Sequence, residues 1–217
     1  MKKVLRLAMA AILIVAGVLT TNVGFAAEDS EQKIQEATKA IEANPNDIEA
    51  YVNRGNAYNE SGKYDLAIQD FDKAIELNQT FPEIYYNRGN TYVNLNQYER
   101  AIEDYNKALE LNANFDLAYN NRGYSYMQLN QYDRAVEDFN KALELKPNDF
   151  LAHLNRGSAY GNLQQYERAI EDFSKVIEIE PNFAVGYQLR GLCYQALGDK
   201  EKAQADFDKA KELGYKD

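Results

Sequence analysis

The sequence predicts an all-α fold built as a stacked array of helix pairs, and three observations carry that reading. Arg-Gly recurs at Arg54-Gly55, Arg88-Gly89, Arg122-Gly123, Arg156-Gly157 and Arg190-Gly191, each step 34 residues. The same register holds Tyr58, Tyr92, Tyr126, Tyr160 and Tyr194, then Ala67, Ala101, Ala135, Ala169 and Ala203, then Phe71, Tyr105, Phe139, Phe173 and Phe207. Helix breakers are scarce, with 4 Pro and 12 Gly in 217 residues. A fixed period of this length marks a repeated supersecondary unit that buries its apolar face against its neighbours. With 45% hydrophobic and 27% charged residues, the composition is that of a packed chain and not a disordered one.

Residues 1–26 stand outside the array. Lys2, Lys3 and Arg6 form a basic start, Leu7 to Leu19 an apolar run, and Gly24-Phe25-Ala26 puts small residues ahead of a cut before Ala27. The expectation is a cleaved signal peptide, hence an exported protein, periplasmic or secreted. The apolar run is 13 residues long, whereas a spanning helix needs about 20, so a membrane attachment is expected only if the segment stays uncleaved. Cys193 is the single cysteine, which leaves no lipid-attachment cysteine after the apolar run and no internal disulfide. Loss of Lys2, Lys3 and Arg6 takes the formal charge from −10 to −13, a poor match to nucleic acid or an anionic membrane surface.

Residues 27–47 are expected to form a linker and a capping helix. Within them, 31–43 read like a lone second helix of the repeat. Ile34 and Ile41 keep the stacking positions, while Lys33 and Ala37 replace the Ala and aromatic that would face a first helix of the same unit. The repeats proper are 48–81, 82–115, 116–149, 150–183 and 184–217. In the first of them, Ile48, Tyr51, Gly55 and Tyr58 fall at three- and four-residue steps, as do Tyr64, Ala67, Ile68, Phe71, Ala74, Ile75 and Leu77, so each unit is two amphipathic helices. Gly62, Asn96, Asn130, Gln164 and Gly198 sit between the helices, where a left-handed residue ends the first one. Pro45, Pro147 and Pro181 mark stops between units; Gln79 and Ala113 stand there in the other two. In the last unit Gln204 and Lys211 replace the aliphatic stacking residues (Ile68, Ile102, Val136, Ile170 and Ile75, Leu109, Leu143, Ile177), as a terminal cap requires. The array is expected to be capped at both ends.

Gly-x-x-Tyr, Ala nine residues on, an aromatic four further and Ala three further, repeated every 34 residues over 48–217, resembles the tetratricopeptide repeat. The resemblance implies a right-handed superhelix whose first helices line a concave groove and whose second helices form the convex side. It also implies a role in binding other proteins with no chemistry of its own. One departure is consistent: Arg54, Arg88, Arg122, Arg156 and Arg190 stand where the family often has Leu. Asp70, Asp104, Asp138, Asp172 and Asp206 recur in the same register, and a guanidinium can bind a carboxylate at two points, so the rows are expected to pair as structural ion pairs.

Catalytic candidates are absent from this reading. His153 occupies the position of Tyr51, Tyr85, Tyr119 and Tyr187, and Cys193 a small-residue position; one His and one Cys cannot build the usual zinc cluster. No Gly-rich phosphate loop or EF-hand spacing occurs. The carboxylates read as a solvated face, with Glu103–Lys107, Glu137–Lys141 and Glu171–Lys175 as i,i+4 pairs. The expectation is a non-enzyme with no metal, cofactor or small-molecule substrate.

Function then falls to the groove that the resemblance implies. Asn53, Asn87, Asn121 and Asn155 form an amide row like the one by which some relatives hold an extended peptide; an amide offers both donor and acceptor to a backbone of any sequence. Leu189 breaks the row. Tyr86, Asn90, Leu117, Tyr124, Met127, Leu151 and Leu154 lie beside it, with Val52, Asn56, Asn120, Gln188 and Leu192. Only Glu49, Glu60 and Glu83 bring charge. Leu117 with Asn121, or Leu151 with Asn155, stand where relatives that bind acidic chaperone tails carry basic residues, so that partner class does not fit. The sequence therefore points to an exported adaptor for a protein or extended peptide. The alternative is a structural subunit docked through its acidic convex face.

Overall fold

The computed structural model describes residues 23–216; the basic start and apolar run of the expected signal peptide lie outside them. Among the described residues there are eleven helices and no strand. They are α1 (Val23–Ala43), α2 (Ile48–Glu60), α3 (Tyr64–Leu77), α4 (Pro82–Asn94), α5 (Tyr98–Leu111), α6 (Asp116–Gln128), α7 (Tyr132–Leu145), α8 (Phe150–Asn162), α9 (Tyr166–Ile179), α10 (Ala184–Leu197) and α11 (Lys200–Glu212). The fold is thus an all-α solenoid of helix pairs. The first helix of each pair is even-numbered and the second odd-numbered, with α1 ahead of them. The chain divides into two compact units, with the boundary between Ser125 and Tyr126. In the N-terminal unit α1 packs on α2, α2 on α3, α3 on α4 and α4 on α5; in the C-terminal unit the same succession runs from α7 to α11. α1 starts at Val23, ahead of Ala27. None of the described helices is long and apolar enough to cross a membrane.

The turn inside each pair follows from its backbone hydrogen bonds. Lys63 N–H donates to Tyr58 O at 2.8 Å and Gly62 N–H to Asn59 O at 3.1 Å, the two bonds that close a helix around one left-handed residue. The same two bonds recur at Gln97/Asn96, Gln131/Asn130, Gln165/Gln164 and Asp199/Gly198. The left-handed residue is therefore Gly62 (φ 74°), Asn96 (57°), Asn130 (59°), Gln164 (62°) and Gly198 (85°). Glycine and asparagine accept this backbone readily; Gln164 does so against its Cβ.

Packing within a pair is set by a ring laid on a helix backbone. A Cβ placed on Gly55 would meet the Phe71 ring at 2.8 Å, on Gly89 the Tyr105 ring at 2.7 Å, on Gly157 the Phe173 ring at 2.9 Å and on Gly191 the Phe207 ring at 2.6 Å. These distances are shorter than van der Waals contact, which is why a residue that weakens a helix by about 1 kcal/mol relative to Ala sits at the middle of these first helices. Phe71, Tyr105, Phe139 and Phe173 are fully buried, with Ala67, Ala101, Ala135 and Ala169 beside them.

Beside each ring lies a forked ion pair. Arg54 reaches Asp70 through Nε and Nη2, both at 2.8 Å; Arg88–Asp104 spans 2.9 and 2.6 Å, Arg156–Asp172 2.9 and 2.7 Å, Arg190–Asp206 2.8 and 2.8 Å. The remaining arm, Nη1, donates to the second helix of the preceding unit: Arg54 to Thr38 Oγ1, Arg88 to Asp72, Arg122 to Asn106, Arg156 to Asn140 and Arg190 to Ser174, at 2.5–3.2 Å. One guanidinium thus ties three helices. Burial works against the Arg88 charge, and the carboxylates of Asp104 and Asp72 outweigh it, so its pKa lies above the ordinary arginine value. Burial raises the Asp104 carboxyl while Arg88 draws it down. The two-point geometry at 2.6–2.9 Å is that of a charged pair, and we read it so.

The solvated face differs in detail from the sequence expectation. Lys107 pairs with Glu110, Lys141 with Glu144 and Lys175 with Glu178, at 2.6–2.9 Å, where Lys107 and Lys175 were expected to take the i,i+4 partners Glu103 and Glu171. Both spacings place side chains on adjoining turns of one helix face, and the lysines turn toward the carboxylate three residues on. In α11 Gln204 and Lys211 are exposed, while Leu109 and Leu143 are buried at the second of those positions in earlier pairs.

Candidate binding face of the first helices

In the N-terminal unit the amide row is not uniform. Asn53 is exposed on α2 and Asn87 half-buried on α4. Asn121, on α6, spends its amide protons internally: Nδ2 donates to Asn90 Oδ1 at 2.8 Å and to the Tyr86 hydroxyl at 3.1 Å. The Tyr105 hydroxyl donates to the same Asn90 oxygen at 2.7 Å. Tyr86 also stacks at a tilt on Phe115, ring centroids 4.9 Å apart, and faces Tyr105 at 6.0 Å. Burial raises the pKa of Tyr86 and lifts that of Tyr105 well above the ordinary phenol value, so the network is neutral across the physiological range. It is a preset floor of tyrosine and asparagine, not a line of independent amides. Its one signal in the sequence is Tyr105, the single Tyr in a row of Phe, and register alone reads that residue as packing.

Leu117 is 44% exposed on the first turn of α6. Tyr124 is half-buried, with a hydroxyl shielded from solvent and without a hydrogen-bond partner among the described residues; burial raises its pKa above the ordinary value.

In the C-terminal unit Leu151 is 45% exposed on the first turn of α8, the same register position as Leu117. Met127 and Asn155 are half-buried. Leu154, expected at the binding face, is a correction: it is 1% exposed and belongs to the core cluster with Phe173, Leu189, Leu192 and Cys193. Its position on the helix falls on the side that closes against neighbouring helices, and an aliphatic chain there is driven inward. Asn120 and Leu192 are likewise buried, at 7% and 6%.

His153 does more than fill a tyrosine position. Tyr51, Tyr85 and Tyr187 donate their hydroxyls to the carbonyl six residues earlier, at 3.1–3.4 Å. His153 keeps that bond, with Nε2 at 3.0 Å from Pro147 O, and places Nδ1 at 2.8 Å from Asp172 Oδ1. Both partners are acceptors, so a neutral ring can donate to one of them and a protonated ring to both. The Cys193 thiol is buried, and burial pushes its pKa up to about 12. No group of three or more His, Cys, Asp or Glu that could hold a metal ion exists among the described residues.

Comparison with known proteins agrees with this geometry. Models described as "Tetratricopeptide repeat" match residues 82–115, 117–149 and 150–183, and 36–69 and 173–205; a further "TPR repeat" model matches 55–96. No curated protein matches the sequence. Among solved structures, YrrB, described as "a TPR protein with an unusual peptide-binding site", is similar at 30% identity and TM-score 0.72, over 82% of this chain and 92% of that one. A structure of MamA is similar at 27% identity and TM-score 0.71, over 73% and 93%. MamA from residue 41 to its end, from Desulfovibrio magneticus RS-1, is similar at 25% identity and TM-score 0.73, over 76% and 94%.

Proposed function

The chain belongs to the tetratricopeptide repeat family, and from that premise we propose that it is an exported adaptor that holds a protein or an extended peptide along its first helices, in assembly or secretion at the cell envelope. The observation that carries this is the chemistry of that face. In the N-terminal unit Leu117 stands exposed, Asn87 is half-buried, and Tyr86, Asn90 and Asn121 form a neutral floor; in the C-terminal unit Leu151 stands exposed at the register position of Leu117. Exposed aliphatics recurring in register are a ready contact for apolar side chains. Amide groups supply donors and acceptors for a backbone. The arginine row, which could otherwise have served an acidic ligand, is engaged in forks with aspartate at Arg54, Arg88, Arg156 and Arg190. Export rests on residues 1–26, and the similarity to YrrB, a protein with a peptide-binding site, lends weight to the peptide class. We assign the protein no catalytic step: its single His is held between two acceptors and its single thiol is buried and protonated.

The test is calorimetric titration of the partner captured from the native cell envelope by crosslinking. A Leu117→Ser/Leu151→Ser variant should fold as wild type and bind more than about tenfold more weakly, because each half-exposed leucine contributes on the order of 1 kcal/mol when covered. Asn87→Ala should weaken binding by a further 0.5–1.5 kcal/mol, roughly one hydrogen bond. Unchanged affinity in both variants, together with steep loss of binding in salt, would move the site to the acidic second helices.

A further inference from the structure

The triplet Asn-x-Ser/Thr occurs twice in the sequence, at Asn59-Glu60-Ser61 and Asn78-Gln79-Thr80. The structure treats the two differently. Asn59 lies on the last turn of α2, where its Oδ1 accepts from Asn94 Nδ2 at 3.0 Å, and the Ser61 hydroxyl is turned away to the carbonyls of Ala57 and Tyr58 at 2.9 and 3.1 Å. Asn78 follows the end of α3 on extended backbone, φ −155° and ψ 121°. Its Oδ1 accepts from the backbone N–H and from the hydroxyl of Thr80, both at 2.8 Å, and its Nδ2 has no hydrogen-bond partner among the described residues. Gln79 and Thr80 are exposed. The turn by itself does not require threonine. Asn44 and Asn112 hold the same register position and close the same turn onto the backbone N–H of Asn46 and Asn114, at 3.2 and 3.0 Å, with no hydroxyl.

We propose that Asn78 is an acceptor for an N-linked oligosaccharide, transferred from a lipid-diphosphate carrier outside the cytoplasm. The proposal rests on the export reading, since the triplet is a glycan acceptor on surface turns of secreted proteins; it does not depend on the binding face. In the transfer, Nδ2 forms a bond to the anomeric carbon of the sugar. The bond from that carbon to the diphosphate oxygen breaks, the diphosphate leaves with the electron pair, and one amide proton passes to a base of the transferase. An amide nitrogen is a weak nucleophile because the carbonyl draws on its lone pair. The two donors from Thr80 stabilise the charge that Oδ1 gains as Nδ2 gives up its proton. Glu76, two residues ahead, has a side chain 70% exposed and tied only to Lys73 at 3.0 Å. Such a surface pair is weak, which leaves the carboxylate free to meet a basic group of the transferase. After transfer Oδ1 is still a carbonyl acceptor, so both bonds from Thr80 persist and the turn keeps its form.

The first measurement incubates the folded full chain with a purified oligosaccharyltransferase and a polyprenyl-diphosphate-linked oligosaccharide, and reads tryptic peptides by mass. Peptide 74–88, which holds Asn78 and Thr80, should gain the sugar; peptide 55–63, which holds Asn59 and Ser61, should not. Thr80→Ser should retain transfer. Thr80→Val, close in size, should lower its rate about a hundredfold, the loss expected when one donor to a developing oxyanion is removed. Thr80 is exposed, so helix content should be the same in all three chains. A bare peptide 74–88, equal rates for wild type and Thr80→Val, or equal transfer to Asn59 overturns the proposal. The second measurement takes the native protein. Chains that begin at Ala27 should carry sugar on peptide 74–88, and processed chains with that peptide bare overturn the proposal. Chains that keep Met1 overturn the export reading instead, and the acceptor turn then stands or falls on the first measurement. Leu117→Ser/Leu151→Ser should leave transfer unchanged, so the binding face fails separately as well.

Discussion

Arg54 shows what one residue does here. Its guanidinium forks onto Asp70, which is 5% exposed, and its third arm crosses to Thr38 on α1. Removing one partner of such a pair strands a charge in a poorly solvated site, and that loss exceeds the net value of the pair itself. Asp70→Ala should therefore lower stability by about 2–3 kcal/mol, below the range for a fully buried pair because Arg54 keeps some access to water. Glu76→Ala, which breaks the exposed Lys73–Glu76 contact, should change it by less than about 0.5 kcal/mol. Urea titrations of the two variants decide this, and equal midpoints would count against a structural role for the pair. Cys193 supplies a second residue-scale prediction. With burial holding its thiol pKa near 12, the folded protein should resist a thiol reagent at pH 8.5, where a free cysteine is about half ionised. Reaction should appear only as the chain unfolds; rapid labelling of native protein would contradict that environment.

Among the elements, the turns within pairs carry the clearest mismatch between residue and backbone. Gln164 holds φ 62° where its counterparts are Gly62, Asn96, Asn130 and Gly198, and the left-handed backbone disfavours a side chain with a Cβ by about 1 kcal/mol. Gln164 is exposed, so Gln164→Gly loses no packing. The variant should gain on the order of 0.5–1 kcal/mol, read as a rise in melting temperature. Glycine inside the first helices predicts the opposite sign. Gly89→Ala improves intrinsic helix propensity, yet its Cβ would stand 2.7 Å from the Tyr105 ring. The backbone of α4 or the ring must shift, at about 1–3 kcal/mol for an overpacked core. Shrinking the ring in the double variant Gly89→Ala/Tyr105→Leu should recover part of the loss, a coupling that a double-mutant cycle measures directly.

At the scale of the whole molecule, charge is concentrated on the second helices. The chain carries −10 overall, and its exposed carboxylates are largely on second helices, several of them paired with lysine three residues away. The face proposed for the partner carries few charges, Glu49, Glu60 and Glu83. Partner affinity should therefore fall by less than about threefold between 50 and 300 mM salt, since screening acts on charge pairs and few are available there. A much steeper dependence would point to the acidic side. The expected export adds a check that is independent of binding: N-terminal sequencing of the native protein should read from Ala27. Recovery of an intact Met1 in the membrane fraction would replace a released adaptor with an anchored one.

The period of 34 residues was enough to determine the helix pairs and their turns, because each is a short-range demand repeated at fixed spacing. The left-handed positions could be read from Gly62 and Asn96, and Gln164 followed by register alone. Pairing of the arginine and aspartate rows was also legible, since a buried charge requires a partner and the aspartate row recurs in the same register. Tertiary structure decided the rest. It placed the third arm of each guanidinium, which depends on the preceding unit. It turned Leu154 inward and left Leu117 and Leu151 outward, a distinction of three helix positions that an apolar residue type does not reveal. It joined Asn121, Asn90, Tyr86 and Tyr105 into one network, consuming amide protons that the sequence had assigned to a ligand. Hydrogen bonds between side chains on different helices depend on distances of a few tenths of an ångström, and those are set by how rings and backbones pack, not by the order of residues along the chain.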